Sequence, residues 1–387
     1  MNGYLEEAFE LAERGVGRVS PNPAVGAIIV RDGEVIGRGF YTAAGVKHAE
    51  VLALEEAGAG APGLIRGATM YVTLEPHSHQ GRTPPCVDAI LAAGIAKVVS
   101  AMEDPNPLVH GRGFARLREA GIEVEIDSEY EARAAKLNEA FVHFMHTGLP
   151  LVTLKAAVTL DGKIAAPEDS ASPGWITSEI ARAHVQTLRH RSDAILTGIG
   201  TVLADDCRLT DRTGGERSRP LLRIVLDSQL RLPLESQMVS ACGEAGANDV
   251  LAVTTSAASA ERRRKLEAKG VRVEVFEDAS GRASLRATVE FLAREKYLSL
   301  MIEAGSRVNW SALESGVADK IFFYYAPKIL GGTQSLPVAG GTGRRRRADA
   351  IRFRDLKLHA IALNDALRAV SPNEFAVEAW VEKEHRL

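Results

Sequence analysis

His48 and Glu50 stand two residues apart in the first quarter of the chain, and a polar run, 73–86, contains His77 and ends at Cys86. A hydrolytic zinc site needs three protein ligands and one open position for a water molecule, whose pKa the metal lowers towards neutrality. Deamination also needs a carboxylate that is not a ligand, to carry protons from the water to the ring nitrogen and the departing amine. The predicted zinc ligands are His48, His77 and Cys86. Glu50 is the predicted proton carrier.

The second of these segments makes the pattern specific. A His-x-Glu pair alone is common, but a later proline-rich stretch that ends in cysteine, here Gly81–Cys86, makes the match to the zinc-deaminase signature much stronger. Cys86 is also predicted to begin a helix, where the helix dipole favours a thiolate. The alternative is a structural role, in which His48 and His77 are exposed loop histidines. Cys86 would then be a small buried apolar residue.

Two helix starts and one strand must position these side chains. A helix is predicted over 49–57 directly after His48, a strand over 69–74, and a second helix over 87–93 directly after Cys86. Helical and strand-like segments alternate in the same way through both halves of the chain. Such alternation predicts sheets covered by helices, so the predicted fold class is α/β.

A boundary between two domains is predicted near residue 148. Gly148 and Pro150 interrupt the pattern, and a new apolar strand, 151–157, follows them. A chain of 387 residues suits two domains of ordinary size. The predicted domains are 1–147 and 148–387.

Composition argues against several classes of protein. The chain is 45% apolar and 25% charged with a net charge of −3, so nothing marks it as a binder of nucleic acid or of membranes. No apolar stretch approaches the ~18 residues of a membrane span, and the acidic N-terminus does not resemble a secretory signal. Three cysteines do not suggest a disulfide framework. We therefore expect a cytoplasmic protein that binds neither nucleic acid nor membrane.

The second half carries a glycine-rich turn and a run of arginines. No Gly-x-Gly-x-x-Gly fingerprint follows a predicted strand. Gly198–Thr201 would let backbone amides approach a phosphate at the next helix start, although a tight packing turn is the simpler interpretation. The run Arg344–Arg347 is interpreted as a solvated loop rather than a phosphate-binding patch.

Together these motifs resemble the bifunctional deaminase/reductase family of riboflavin biosynthesis over nearly the whole chain. The deaminase motifs are Pro21–Gly26, Ala44–Val51, Thr73–Cys86 and Asp104–Pro107. The reductase motifs are Leu160–Ala165, Trp175–Ser178, Gly198–Asp206, Glu303–Gly305 and Ala326–Gly332. Among zinc deaminases, the stretch Gly81–Cys86 is highly specific to this family.

The resemblance implies two three-layer α/β/α domains, the first cytidine-deaminase-like and the second dihydrofolate-reductase-like. It also implies two consecutive reactions on a small phosphoribosylaminopyrimidine. The first replaces the 2-amino group of 2,5-diamino-6-(5-phosphoribosylamino)pyrimidin-4(3H)-one by oxygen and releases ammonia. The second uses NADPH to reduce the ribosyl chain to ribityl, a reaction for which the cofactor carries the chemistry. A homo-oligomer, dimer or tetramer, is expected as well.

Site residues follow from the same resemblance. Those implied on the NADPH side are Ala157, Trp175, Thr177, Thr201, Asp205, Ser228, Gly305, Ser306 and Arg307. Those implied on the substrate side are Asn22, His79, Arg189, Leu209, Arg212 and Glu303. Arg189 and Arg212 are the candidates for the substrate phosphate, because a guanidinium binds phosphate bidentately.

The chain departs from the family pattern at a few positions. His77 stands where the family usually has a cysteine ligand. Imidazole is a competent zinc ligand, but it lacks the negative charge of a cysteine thiolate. Leu52, Tyr41 and Gln80 stand where the family often has histidine, and Cys207 replaces a proline. The alternative function is a reductase whose deaminase domain is weakened by His77.

Overall fold

The structure is a computed structural model that describes residues 3–42, 47–79, 84–167, 174–244, 249–361 and 374–383. The chain forms two compact units, one of residues 1–148 with 216–218 and one of residues 149–215 with 219–387. No helix in the described part is long and apolar enough to cross a membrane.

The N-terminal unit alternates helices and strands. Its strands are β1 Gly26–Arg31, β2 Glu34–Phe40, β3 Thr69–Val72, β4 Lys97–Ser100 and β5 Glu123–Ile126. Its helices are α1 Gly3–Glu13, α2 Ala49–Gly60, α3 Cys86–Ala93, α4 Arg112–Glu119, α5 Glu131–Leu137 and α6 Glu139–Thr147. The five strands form one sheet in the order β2-β1-β3-β4-β5, antiparallel around β1 and parallel from β3 to β5.

Alternation of side chains along β1 gives this sheet two covered faces. Ala27 and Ile29 pack with the alanines of α2, whereas Ile28 and Val30 pack with Leu11 of α1 on the other face. Successive residues of a strand point to opposite faces, so this one strand contributes to both cores. The unit is therefore a sheet between two helical layers, as expected for an α/β domain.

Glycine on β2 allows α2 to lie unusually close to the sheet. A Cβ atom added at Gly39 would stand 2.1 Å from the carbonyl oxygen of Ala49 and 2.5 Å from the nitrogen of Ala53. Ala49, Ala53 and Ala57 are fully buried on the facing side of α2. This contact fixes the start of α2, where His48 and Glu50 lie.

The C-terminal unit is built around a larger sheet. Its strands are β6 Leu151–Thr159, β7 Lys163–Ala165, β8 Ala194–Gly198, β9 Leu222–Leu226, β10 Val250–Thr254, β11 Arg272–Val275, β12 Ser299–Ile302, β13 Lys320–Ala326, β14 Leu336–Pro337, β15 Phe353–Ala360 and β16 Phe375–Val381. Its helices are α7 Glu179–Arg191, α8 Ile199–Asp205, α9 Gln237–Ser240, α10 Ala260–Glu267, α11 Leu285–Arg294 and α12 Ser306–Glu314.

The nine-stranded sheet has the order β11-β10-β9-β8-β12-β6-β13-β16-β15. It is parallel from β11 to β13 and antiparallel at β16 and β15. On β8, Leu196 packs with the core that contains α11 and α12, and Ile195 packs with the core that contains α8, α9 and α10. Parallel strands covered on both faces confirm the predicted α/β class. The short pair β7–β14 lies outside this sheet.

The elements that the sequence predicts around the ligands and at the start of the second half agree with the structure within a few residues. The helix expected over 49–57 is α2, the helix expected over 87–93 is α3, and the strand expected over 151–157 is β6, which continues to Thr159. The four arginines Arg344–Arg347 are exposed, as a solvated loop requires. Gln80, residues 44–46 and residues 81–83 of the family motifs lie outside the described residues.

The close contact between β2 and α2 gives a first prediction. We expect Gly39→Ala to destabilise the N-terminal unit by about 1–3 kcal/mol, since the added methyl has to displace the backbone of α2. Gly60→Ala, at the other end of the same helix, meets nothing within 4 Å and is the control. Urea unfolding of both variants measures the difference. Equal stability of the two variants would show that α2 does not depend on this contact.

Candidate functional site

Three potential metal ligands meet at the starts of two helices. His48 is the residue that caps α2, Cys86 is the first residue of α3, and His77 lies on the loop that follows β3. The Sγ atom of Cys86 lies 3.3 Å from Nδ1 of His48, and the rings of His48 and His77 are 4.5 Å apart between centroids. The structure thus brings together the three residues that the sequence predicted.

The geometry of this cluster fits a zinc ion. One donor atom of each residue lies within 4.8 Å of the other two. Ligand bonds of about 2.0–2.3 Å place the donor atoms of a tetrahedral zinc site roughly 3.3–3.8 Å apart, so only small movements are needed. His77 and Cys86 are buried, and His48 is partly exposed. Three ligands of nitrogen and sulfur leave a fourth position for water, as a hydrolytic site requires.

Glu50 lies beside the cluster and is itself buried. It stands in the first turn of α2, 3% exposed, and its carboxyl group lies within hydrogen-bonding reach of Cys86. Burial raises the pKa of Glu50. Burial, followed by the charge of Glu50, also raises the pKa of the Cys86 thiol. Binding of a metal ion to Cys86 is therefore coupled to release of the thiol proton.

Asn22, His79 and Tyr41 lie around this centre. His79 is exposed, and its ring centroid is 5.4 Å from that of His77. Asn22 is exposed and its amide nitrogen donates to the hydroxyl of Tyr41 at 3.0 Å. The Tyr41 ring meets His48 edge-on at 5.1 Å. Tyr41 therefore contacts both Asn22, a predicted substrate residue, and His48, a predicted zinc ligand. Only one feature of the sequence indicated this role, namely that Tyr41 stands where the family often has histidine.

In the C-terminal unit, predicted cofactor residues follow the carboxyl ends of parallel strands. Thr201 lies on α8 after β8, Ser228 follows β9, and Gly305 follows β12 and caps α12. A Cβ atom at Gly305 would stand 3.6 Å from the Thr201 hydroxyl, so the starts of α8 and α12 are neighbours. Ligands of open α/β sheets bind outside the carboxyl ends of the strands.

The start of α12 fits a phosphate group. Ser306 is its first residue and is 7% exposed, and its buried hydroxyl oxygen has no hydrogen-bond partner among the described residues. The first turn of a helix also presents backbone N–H groups and the positive end of the helix dipole. Arg307 is exposed beside it. An anionic cofactor would satisfy this hydroxyl and these amides together.

A network of three charged side chains lies at the end of β12. Glu303 accepts hydrogen bonds from Arg189 Nε at 2.8 Å and from Lys155 Nζ at 3.2 Å, and all three side chains are 11–12% exposed. Burial raises the pKa of Glu303, but the charges of Lys155 and Arg189 outweigh it and lower that pKa to about 2. Glu303 is therefore ionised near neutral pH. Sequence reasoning missed Lys155, although a lysine within an apolar strand was a usable signal.

The remaining predicted residues are spread over several elements. Arg189 also donates to the carbonyl of Thr210 at 2.9 Å. Trp175 is 71% exposed and stacks with Arg182, whose guanidinium carbon lies 4.5 Å from the ring centroid. The structure places the others on β6, on the loop before α7, at the end of α8 and on the segment after it, namely Ala157, Thr177, Asp205, Leu209 and Arg212.

Comparison with known proteins assigns both units. The family model of the RibD C-terminal domain matches residues 150–363, and that of the cytidine and deoxycytidylate deaminase zinc-binding region matches residues 2–102. The riboflavin biosynthesis protein RibD of Escherichia coli is 40% identical over 95% of this chain and 98% of that protein. The chain belongs to the RibD family. RibD of Bacillus amyloliquefaciens is 38% identical, over 95% of both chains.

Solved structures of RibD proteins agree with this assignment. RibD of Acinetobacter baumannii superposes with a TM-score of 0.82 at 36% identity and covers 98% of both chains. A diaminohydroxyphosphoribosylaminopyrimidine deaminase/5-amino-6-(5-phosphoribosylamino)uracil reductase of Thermotoga maritima superposes with a TM-score of 0.79 at 34% identity and the same coverage. As a member of the RibD family, the chain is a bifunctional enzyme of riboflavin biosynthesis with a zinc-binding deaminase domain and a reductase domain.

The metal centre gives a prediction that separates two neighbouring histidines. We expect the wild-type protein to hold about one zinc ion per chain and His77→Ala to lose most of it, because two ligands do not hold zinc as three do. His79→Ala, two residues away on the same loop, is the matched control and should retain its zinc. Metal analysis after reconstitution and dialysis measures both. Full zinc content in His77→Ala would remove His77 from the ligand set.

Proposed function

We propose that residues 1–147 deaminate 2,5-diamino-6-(5-phosphoribosylamino)pyrimidin-4(3H)-one and that residues 148–387 reduce the ribosyl chain of the product with NADPH. The observation that carries the proposal is the cluster of His48, His77 and Cys86 with Glu50 beside it, in a chain of the RibD family. Its donor set fits zinc although a histidine replaces the usual cysteine. The two matched family models supply a domain for each reaction.

In the first reaction, water supplies the oxygen and the 2-amino group leaves as ammonia. His48, His77 and Cys86 would hold the zinc ion, which would supply the activation of that water. Glu50 takes both protons of that water in turn, and delivers one to the ring nitrogen and the other to the departing amine. Glu50 is buried in the first turn of α2, two residues after His48 and within hydrogen-bonding reach of Cys86. This position suits the transfer of protons. Asn22 and His79, both exposed at the rim, are placed to contact the substrate.

Replacement of the proton carrier tests the deaminase. We expect Glu50→Gln to lower the rate of ammonia release by about 10²–10⁴-fold, the usual contribution of a positioned acid/base group. NADPH oxidation with the deaminated substrate should persist. Glu55→Gln changes a half-exposed carboxyl on the same helix and is the control. Ammonia release at the wild-type rate from Glu50→Gln would reject the proposed role.

In the second reaction, bound NADPH would supply the hydride that reduces the ribosyl chain, and the solvent would supply the proton. The hydroxyl of Ser306 and the amides at the start of α12 would bind a phosphate of the cofactor. Ionised Glu303 holds Lys155 and Arg189 in place at the end of β12. Arg189 also donates to the carbonyl of Thr210, so its guanidinium group has two partners within the protein.

The remaining predicted residues complete the two binding regions. Arg212 is exposed and lies outside that network, which supports it as a candidate for the substrate phosphate. The other residues that the resemblance implies for the cofactor and substrate stay candidates for those contacts, and they are Ala157, Trp175, Thr177, Thr201, Asp205, Ser228, Arg307 and Leu209.

The unsatisfied hydroxyl at α12 gives a test of the cofactor site. We expect Ser306→Ala to raise the KM for NADPH about tenfold, as a lost hydrogen bond to a charged group predicts, with little change in kcat. Ser311→Ala, on an exposed turn of the same helix, is the matched control. Steady-state kinetics of NADPH oxidation measure both. An unchanged KM in Ser306→Ala would place the cofactor phosphates elsewhere.

Assembly and location are further parts of the proposal. The edge strand β15 exposes Leu356 and Leu358, 61% and 68% exposed, which supports a homo-oligomer formed across this edge. The net charge of −3 and the three free cysteines support a cytoplasmic enzyme without nucleic-acid or membrane partners. The alternative, a reductase whose deaminase domain is weakened by His77, has no observation in its favour, since His77 lies with His48 and Cys86 in one ligand cluster.

A further inference from the structure

Glu75 is a buried carboxylate to which the proposed mechanism gives no role. It lies two residues before His77, on the loop between β3 and α3, and is 3% exposed. A charged group in such a position is stable only when several hydrogen bonds compensate for the lost water. Its contacts therefore show what the residue does.

Both oxygens of Glu75 accept hydrogen bonds from backbone N–H groups. Oε2 accepts from Asp104 at 3.1 Å and from Gly111 at 2.9 Å. Oε1 accepts from Gly113 at 2.8 Å and from Phe114 at 3.4 Å. Gly111 caps α4, and Gly113 and Phe114 lie in the first turn of this helix. Glu75 thus supplies, from a distant loop, the anionic cap that the start of a helix favours.

The same contacts fix the loop that carries His77. The nitrogen of Glu75 donates to the carbonyl of Met102 at 3.1 Å, and the carbonyl of His77 accepts from Val87 in α3 at 3.3 Å. The segment 75–77 is therefore bonded to α4 through the Glu75 side chain and to α3 through its last carbonyl. His77 lies between these two attachments and Cys86 begins α3, so the relative positions of two ligands depend on both.

The backbone of Pro76 packs directly on α4. A Cβ atom added at Gly113 would stand 2.0 Å from the carbonyl oxygen of Pro76, a distance that no side chain tolerates. The absence of a side chain at Gly113 thus lets α4 approach close enough for its amides to reach Glu75. Glu75 and Gly113 form one contact between the ligand loop and α4.

We propose that Glu75 is a positioning residue for the metal centre, which holds the His77 loop against the start of α4 and thereby sets the retention and geometry of the metal. The inference rests on the proposed zinc site at His48, His77 and Cys86. Glu75 does not ligate the ion or carry protons, since both of its oxygens are occupied by backbone amides. Residues that hold metal ligands in place change metal affinity or activity by about 10–100-fold when replaced.

Metal exchange tests this role without relying on activity. We expect Glu75→Gln to release zinc to a competing chelator about 10–100-fold faster than wild type, because an amide group faces the same N–H donors with a single acceptor oxygen. The visible absorption spectrum of the cobalt-substituted protein should change as well. Glu103→Gln is the control, since Glu103 is a half-exposed carboxyl next to Asp104. NADPH oxidation, which belongs to the other unit, should stay at the wild-type rate in both variants.

Gly113→Ala provides a second, independent variant. It keeps the Glu75 carboxylate but forces the Pro76 carbonyl away from α4, so it should also accelerate zinc release and alter the cobalt spectrum. It serves in place of Glu75→Gln if that variant does not fold. Wild-type rates of zinc release and an unaltered cobalt spectrum in these variants would overturn the positioning role. A wild-type protein that binds neither zinc nor cobalt would instead reject the zinc site and the inference with it.

Discussion

Donor atoms can share an ion only when the backbone brings them within about 4 Å of one another, and the N-terminal unit meets this constraint with two helix starts and one loop. His48 caps α2 and Cys86 begins α3, so each ligand has the orientation of a helix end that is packed on the sheet. α2 is held close by the glycine face of β2. His77 has no helix of its own and depends on the bonds of its loop to α3 and α4.

The two units use charge in different ways. In the deaminase unit, burial outweighs the opposing charge of His48 and raises the pKa of Glu50, which suits a group that must both accept and give a proton. In the reductase unit Lys155 and Arg189 lower the pKa of Glu303 to about 2, so that carboxylate stays ionised and binds cations. Two buried glutamates thus differ in chemistry because of their neighbours.

The features that could be read from the sequence are those encoded by nearby residues. Apolar runs such as 151–157 predicted strands, and His48 and Cys86 marked helix starts. Each of these signals lies within a few residues of the element that it predicts. β15 was missed although Leu356, Leu358 and Ala360 alternate with polar residues, which was a usable signal for a strand. Glu75 was missed since its partners, from Asp104 to Phe114, come about thirty residues later and bind through backbone groups that carry no residue signal.

The place of β6 in the large sheet has a consequence for synthesis of the chain on the ribosome. β6 begins at Leu151, yet its two neighbours in the sheet are β12, from Ser299, and β13, from Lys320. At roughly 5–20 residues per second, β6 emerges on the order of ten seconds before either neighbour exists. During that interval an apolar strand has no partner in its own sheet, while the five-stranded N-terminal sheet is already complete. The nascent reductase half is therefore the stage at which this enzyme is most exposed to aggregation and to capture by chaperones.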